Sequence, residues 1–188
     1  MKKLFLLIIL LGFVAYALYH MNPQQSSRTA SPQVGSVGVD SVVGPPTVTA
    51  ARIDQVLCGA GSPACHTGNS IYELGVKYDI DPAFAVAFFR KESSYGLAGE
   101  ATYTHSPGNL RCIPDVRCVD QDRGGYAWFP SWTTGFEAWY KLIHDLYVVQ
   151  WGCKTIPAIV QRYAPSSEND TKLYISNIEQ FVQEVRAA

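Results

Sequence analysis

The sequence predicts a mainly α domain, of α+β type, in which a helical bundle carries a small β-hairpin lobe. Helix-start signals followed by apolar residues at helical spacing recur from Val48 to the C-terminus. A single stretch, residues 95–130, combines Gly, Pro and Asp with short β-prone runs, too little for a large sheet. Two close cysteine pairs, Cys58/Cys65 and Cys112/Cys118, fall at loop positions between these elements.

Each element has a local reason. Thr49 is placed to cap a helix through about Leu57, and Asn69 or Ser70 to cap another through about Tyr78. Asp81-Pro82 reads as an N-cap followed by a first-turn proline, whose missing N–H costs nothing where the helix leaves donors unpaired. That helix should run to about Ser94, and Gly96 stops it. Tyr126-Ala127-Trp128-Phe129 supplies the β-prone half of the hairpin. Helices resume at about Thr133–Gln150, Ile156–Tyr163 and Asp170–Arg186, the first with Phe136, Trp139, Tyr140, Ile143, Leu146 and Tyr147 on its apolar side. Trp139 and Trp151 occupy positions that read as core.

Ahead of this domain, assigned to residues 48–188, the chain has two zones. Residues 1–21 begin Met1-Lys2-Lys3 and continue through an uncharged apolar run, a signal peptide or an N-terminal membrane anchor through residues 4–20. Ala15-Tyr16-Ala17 offers a cleavage site, and the run also approaches the length of a bilayer span; the lysines orient the rest of the chain outside in both cases. Residues 22–47, rich in Pro, Gly, Ser, Gln and Val, read as a flexible linker.

Composition narrows the function. Of 188 residues, 47% are hydrophobic and 16% charged with a formal net charge of -1, which excludes wholesale disorder. Because residues 1–50 hold only Lys2, Lys3, Arg28 and Asp40, the remainder is faintly acidic. Such a domain lacks the basic face that would neutralise phosphates, so no nucleic acid is expected as partner. Export makes Cys58–Cys65 and Cys112–Cys118 most simply local disulfides, leaving Cys153 over. A zinc site at Cys58, Cys65 and His66 lacks a fourth ligand, and no metal or organic cofactor is expected.

The most informative residue is Glu92. On the helix opened by Asp81-Pro82, Ala85, Phe88, Phe89 and Glu92 fall at i, i+3, i+4 and i+7, which puts a carboxylate on the apolar stripe. Apolar neighbours penalise its charge and raise its pKa, and the negative end of the helix dipole acts in the same direction. A carboxyl held neutral in this way can serve as a general acid. An ordinary helix-end ion pair with Arg111 is the plain alternative.

Glu92-Ser93-Ser94-Tyr95-Gly96 followed by Pro107-Gly108-Asn109-Leu110-Arg111 resembles the lysozyme-like superfamily, in particular family-73 glucosaminidases and the related lytic transglycosylases. Phe129-Pro130-Ser131-Trp132-Thr133-Thr134-Gly135-Phe136-Glu137-Ala138 is similar to the start of their next helix. Arg162-Tyr163-Ala164-Pro165 with Asn169-Asp170-Thr171 and Tyr174-Ile175 is similar to their late signature, so the resemblance spans about residues 67–186.

The resemblance implies a lysozyme-like fold and cleavage of β-1,4 bonds between GlcNAc and MurNAc in peptidoglycan glycan strands, with Glu92 as general acid. It implies a catalytic tyrosine, Tyr174 by spacing or Tyr163, and substrate-binding roles for Ser93 and Asn109. Tyr126 and Trp128, in the hairpin, suit stacking on sugar rings. A second carboxylate would come from Glu100, Asp115, Asp120 or Asp122. The same Glu92 is compatible with a lytic transglycosylase, a muramidase, or an inactive glycan-binding or assembly module. The expected location is extracytoplasmic, secreted or tethered to the outer face of the cytoplasmic membrane.

Overall fold

The computed structural model describes residues 40–167 and 170–187, and the anchor-or-signal segment and most of the linker lie outside them. In chain order the elements are α1 (Ala50–Gly59), α2 (Gly68–Tyr78), α3 (Pro82–Ser93), the short α4 (Ala101–Thr104), β1 (Cys118–Val119), β2 (Tyr126–Ala127), α5 (Trp132–Leu142), α6 (Ile156–Tyr163) and α7 (Thr171–Arg186). A 3₁₀ turn, Gln121–Arg123, joins the strands, and a π-helix, Ile143–Gln150, continues α5.

The expected caps account for the helix starts. Thr49 accepts from the Arg52 N–H, Asp81 from Ala83 and Asp170 from Leu173, each relieving a donor that the first turn leaves unpaired. The α2 start differs, since it begins at Gly68, whose N–H donates to the Asp54 carboxylate of α1. A side chain from the preceding helix thus takes over the capping expected of Asn69 or Ser70.

Helix α3 is the axis of the fold. Every residue from Pro82 to Phe89 is buried, so its apolar surface continues all round rather than forming one stripe. It packs against α2 and α7, and its Phe88 and Phe89 rings meet Trp139 of α5 at 5.1 and 5.0 Å. Ile53, Leu57, Ile71, Ile80, Tyr140 and Ile178 complete the core around it.

Residues 40–47, expected within the linker, belong to the folded domain. Val42 is fully buried, Ser41 bridges Thr155, and Val43 bridges Ile80. Thr47 donates through its N–H and its hydroxyl to the Asp81 carboxylate, which also accepts from Arg186. The Pro/Gly/Ser-rich composition resembled a linker, but burial of one valine and pairing at both bridges fix the segment in place.

The β lobe is small. Cys118 pairs with Ala127 and Val119 with Tyr126, antiparallel, and Arg111 adds a bridge to the other side of Tyr126. Both expected disulfides are present, Cys58–Cys65 and Cys112–Cys118, and Cys153 is a buried free thiol. Among the described residues no helix is long and apolar enough to cross a membrane.

Candidate active site

The site begins where α3 emerges from the core. Ser94, Tyr95 and Gly96 all take positive φ, turning the chain sharply away behind Glu92. Gly96 is required there twice over, because its φ is 87° and a Cβ would lie 2.5 Å from the Trp132 ring. Ser93 is buried, sharing its hydroxyl proton between the Phe89 and Pro107 carbonyls while accepting from the Gly96 N–H. This corrects its expected role in substrate binding, since the hydroxyl is spent tying the helix end to the next loop.

That loop meets the acid from the other side. Gly108 lies so close to Trp139 that a Cβ would fall 2.3 Å from the indole, and Leu110 is buried. Between them Asn109, at φ 49°, donates its side-chain amide to the Glu92 backbone carbonyl at 2.8 Å. Its side-chain oxygen is buried with no hydrogen-bond partner among the described residues.

Glu92 is half-buried, and its pKa is raised. Desolvation is the main cause. The Tyr174 phenol donates to Oε1 and opposes the shift, as do Lys91 and Asn109 more weakly. Tyr174 in turn is pushed far above the usual phenol range by burial and by the nearby carboxylate. It is therefore a permanent donor at any working pH.

These residues open onto a cleft of about 690 Å³ that Glu92, Asn109, Tyr126, Tyr163 and Tyr174 line together. Tyr163 donates to the Gly108 carbonyl at 2.6 Å, and burial raises its pKa well above normal. Tyr147, from the π-helix, adds to the wall, and burial pushes its phenol up to about 12. Of the four acids considered for the second carboxylate, Glu100 lines the cleft. A hydrogen bond with Asp120 is the main cause of its raised pKa, opposed by Arg123 at 2.7 Å. Asp115, Asp120 and Asp122 are not part of the cleft wall.

Trp128 also stands apart from the cleft. Its ring packs beneath the Arg117 guanidinium at 4.9 Å and beside His105, because alternation along the hairpin turns it opposite to Ala127. Trp151, read as core, is 38% exposed and stacks edge-on to Tyr147. Tyr147, read as part of the apolar side of a helix, was not expected in the cleft wall. A π-helix has no clear sequence signature, so the rotation that brings Tyr147 into the wall left no periodic signal.

Cys58, Cys65 and His66 bring their ligand atoms within 4.8 Å of one another, but the disulfide consumes both sulfurs, so the cluster does not fit a metal.

No protein-family model matches the chain, and no curated protein matches it. Among solved structures it is similar to S. aureus autolysin E in complex with the muropeptide NAM-L-Ala-D-iGlu, at 12% identity and a TM-score of 0.57. It is equally similar to a catalytic glutamate-to-alanine mutant of that autolysin in complex with the disaccharide NAG-NAM, at 12% identity and a TM-score of 0.58. In both cases 79% of this chain and 71% of that chain are covered. With its central buried helix, flanking helices and two-stranded lobe, the chain has the lysozyme-like fold that autolysin E carries.

Proposed function

We propose that the chain is an exported peptidoglycan glycosidase that cleaves β-1,4 bonds between GlcNAc and MurNAc, with Glu92 as general acid. The observation that carries this reading is a half-buried carboxyl of raised pKa, hydrogen-bonded to Tyr174, in an aromatic-walled cleft. Cleaving a glycosidic bond needs a proton delivered to the leaving oxygen as an oxocarbenium-like transition state forms, which an acid kept neutral by desolvation provides. The autolysin E structures that share the fold were captured with a muropeptide and with NAG-NAM, ligands of the proposed substrate class.

The other residues divide the remaining work. Tyr174 holds Oε1, orienting the carboxyl and stabilising the anion left after proton transfer. Asn109 lines the cleft where a sugar would lie, while its amide steadies the helix end. Tyr126 and Tyr163 offer apolar faces to the sugar rings. Of the candidate second acids, Glu100, which lines the cleft, is our choice to activate the attacking water. Two disulfides favour an oxidising compartment, in keeping with export.

The test is mass spectrometry of soluble products after the full chain is incubated with purified peptidoglycan, beside Glu92→Gln. Release by the wild type alone, with reducing GlcNAc ends, is the expected result. Reducing MurNAc ends would make it a muramidase and anhydro-MurNAc ends a lytic transglycosylase. No release by a folded chain that still sediments with the glycan would overturn the catalytic reading in favour of a binding module.

A further inference from the structure

Arg111 lines the same cleft as Glu92, yet the two do not form an ion pair. The guanidinium instead lies over the Tyr126 ring, 4.5 Å from its centroid, and one N–H donates to the Arg123 carbonyl at 3.3 Å. Its backbone is fixed as firmly as its side chain. Arg111 bridges Tyr126, Leu110 accepts from the Ala127 N–H, and the next residue, Cys112, is bonded to Cys118. Two glycines make room for this arrangement, since a Cβ at Gly124 would fall 2.8 Å from Nη1 of Arg111 and one at Gly125 2.7 Å from Cys112 Sγ.

The lobe thus presents a pre-oriented guanidinium that has no carboxylate partner among the described residues. A planar fork of donors held on an aromatic face fits a carboxylate with two parallel hydrogen bonds, and fixing it beforehand removes much of the ordering cost of binding. A neutral sugar has no group that needs such a partner. A muramyl residue does, because it carries a lactyl group that ends in a carboxylate or continues into an acidic stem peptide.

Resting on the glycosidase reading above, we propose that Arg111 is the specificity-determining residue of the cleft. It binds the lactyl or stem-peptide carboxylate of a muramyl residue and selects peptidoglycan strands over uncharged N-acetylglucosamine polymers.

The test is calorimetric binding to the full chain carrying Glu92→Gln, so that ligands survive. Three probes are compared: a peptide-free tetrasaccharide of alternating GlcNAc and MurNAc, the same with stem peptides, and chitotetraose. The expected result is at least about tenfold tighter binding of a carboxylate-bearing probe than of chitotetraose. Adding Arg111→Gln brings that ratio close to one, Arg111→Lys keeps part of it, and Arg117→Gln, which removes a charge stacked on Trp128 outside the cleft, keeps all of it. Preference for the peptide-free probe identifies the lactyl carboxylate, and preference for the peptide-bearing probe identifies the stem. Equal affinity for all three probes before Arg111 is changed, or an undiminished ratio afterwards, would overturn the proposal. Because binding is read without turnover, a wild type that releases nothing from peptidoglycan removes the glycosidase reading while the affinity ratio still decides the role of Arg111.

Discussion

The Tyr174 phenol donates to Oε1 of Glu92, joining α7 to the end of α3 across 82 residues of sequence. Burial raises the Glu92 pKa and this bond lowers it, so the two influences set the pH range over which the acid stays protonated. Tyr174→Phe removes the lowering influence alone. The Glu92 pKa should then rise further, and the alkaline limb of the kcat/KM profile should move to higher pH. Loss of orientation should lower the maximal rate by roughly 10–100-fold. A limb that moves to lower pH would contradict the assignment.

Glu92→Gln tests the acid itself. Glycosidase activity should fall by about 10²–10⁴-fold. The raised pKa means that ionising Glu92 opposes folding, so its contribution is favourable below the unfolded pKa and is lost as pH rises through the folded one. Glu92→Gln should therefore raise the melting temperature at pH 8, by a stabilisation of ~0.5–1 kcal/mol, and show no such gain at pH 4. Calorimetric melts at the two pH values read the difference.

The N-terminal edge of the domain makes a separate prediction. A chain beginning at Asp40 keeps Val42 in its buried site and Thr47 on Asp81, whereas one beginning at Val48 loses both. The shorter chain should be less stable by about 2–4 kcal/mol, from one buried valine and two hydrogen bonds to a carboxylate. Urea denaturation of the two chains measures it.

Gly96→Ala should destabilise the fold by about 1–3 kcal/mol, since the new methyl meets Trp132 in a backbone conformation that L-residues avoid. Because Gly96 turns the chain directly behind Glu92, activity should fall by more than the unfolded fraction explains. Comparing residual activity with the circular dichroism melt separates the two effects.

How legible these features were in the sequence depended on the range of the interaction. Asp81-Pro82 was legible as a helix start because capping is local, and α6 occupies Ile156–Tyr163 as expected. Glu92 was legible because an acid on an apolar helical spacing violates the pattern around it. Ser93 was not, since only the folded Pro107 loop decides which way its hydroxyl is used. Val42 was equally hidden, its burial depending on Ile80 and Thr155, far along the chain. Arg111 was visible as the end of Gly108-Asn109-Leu110-Arg111, but its placement over Tyr126 depends on a bridge and two glycines that close only in the lobe.

Asp81, fully buried, accepts from Thr47 and Arg186 while capping α3, and Arg186 also donates to the Thr47 hydroxyl at 2.8 Å. The first and last segments of the folded domain therefore close on one carboxylate, like the two ends of a clasp. Because Thr47 and Arg186 share that buried acceptor, loosening either segment uncovers the carboxylate held by the other, so the two segments should fray together.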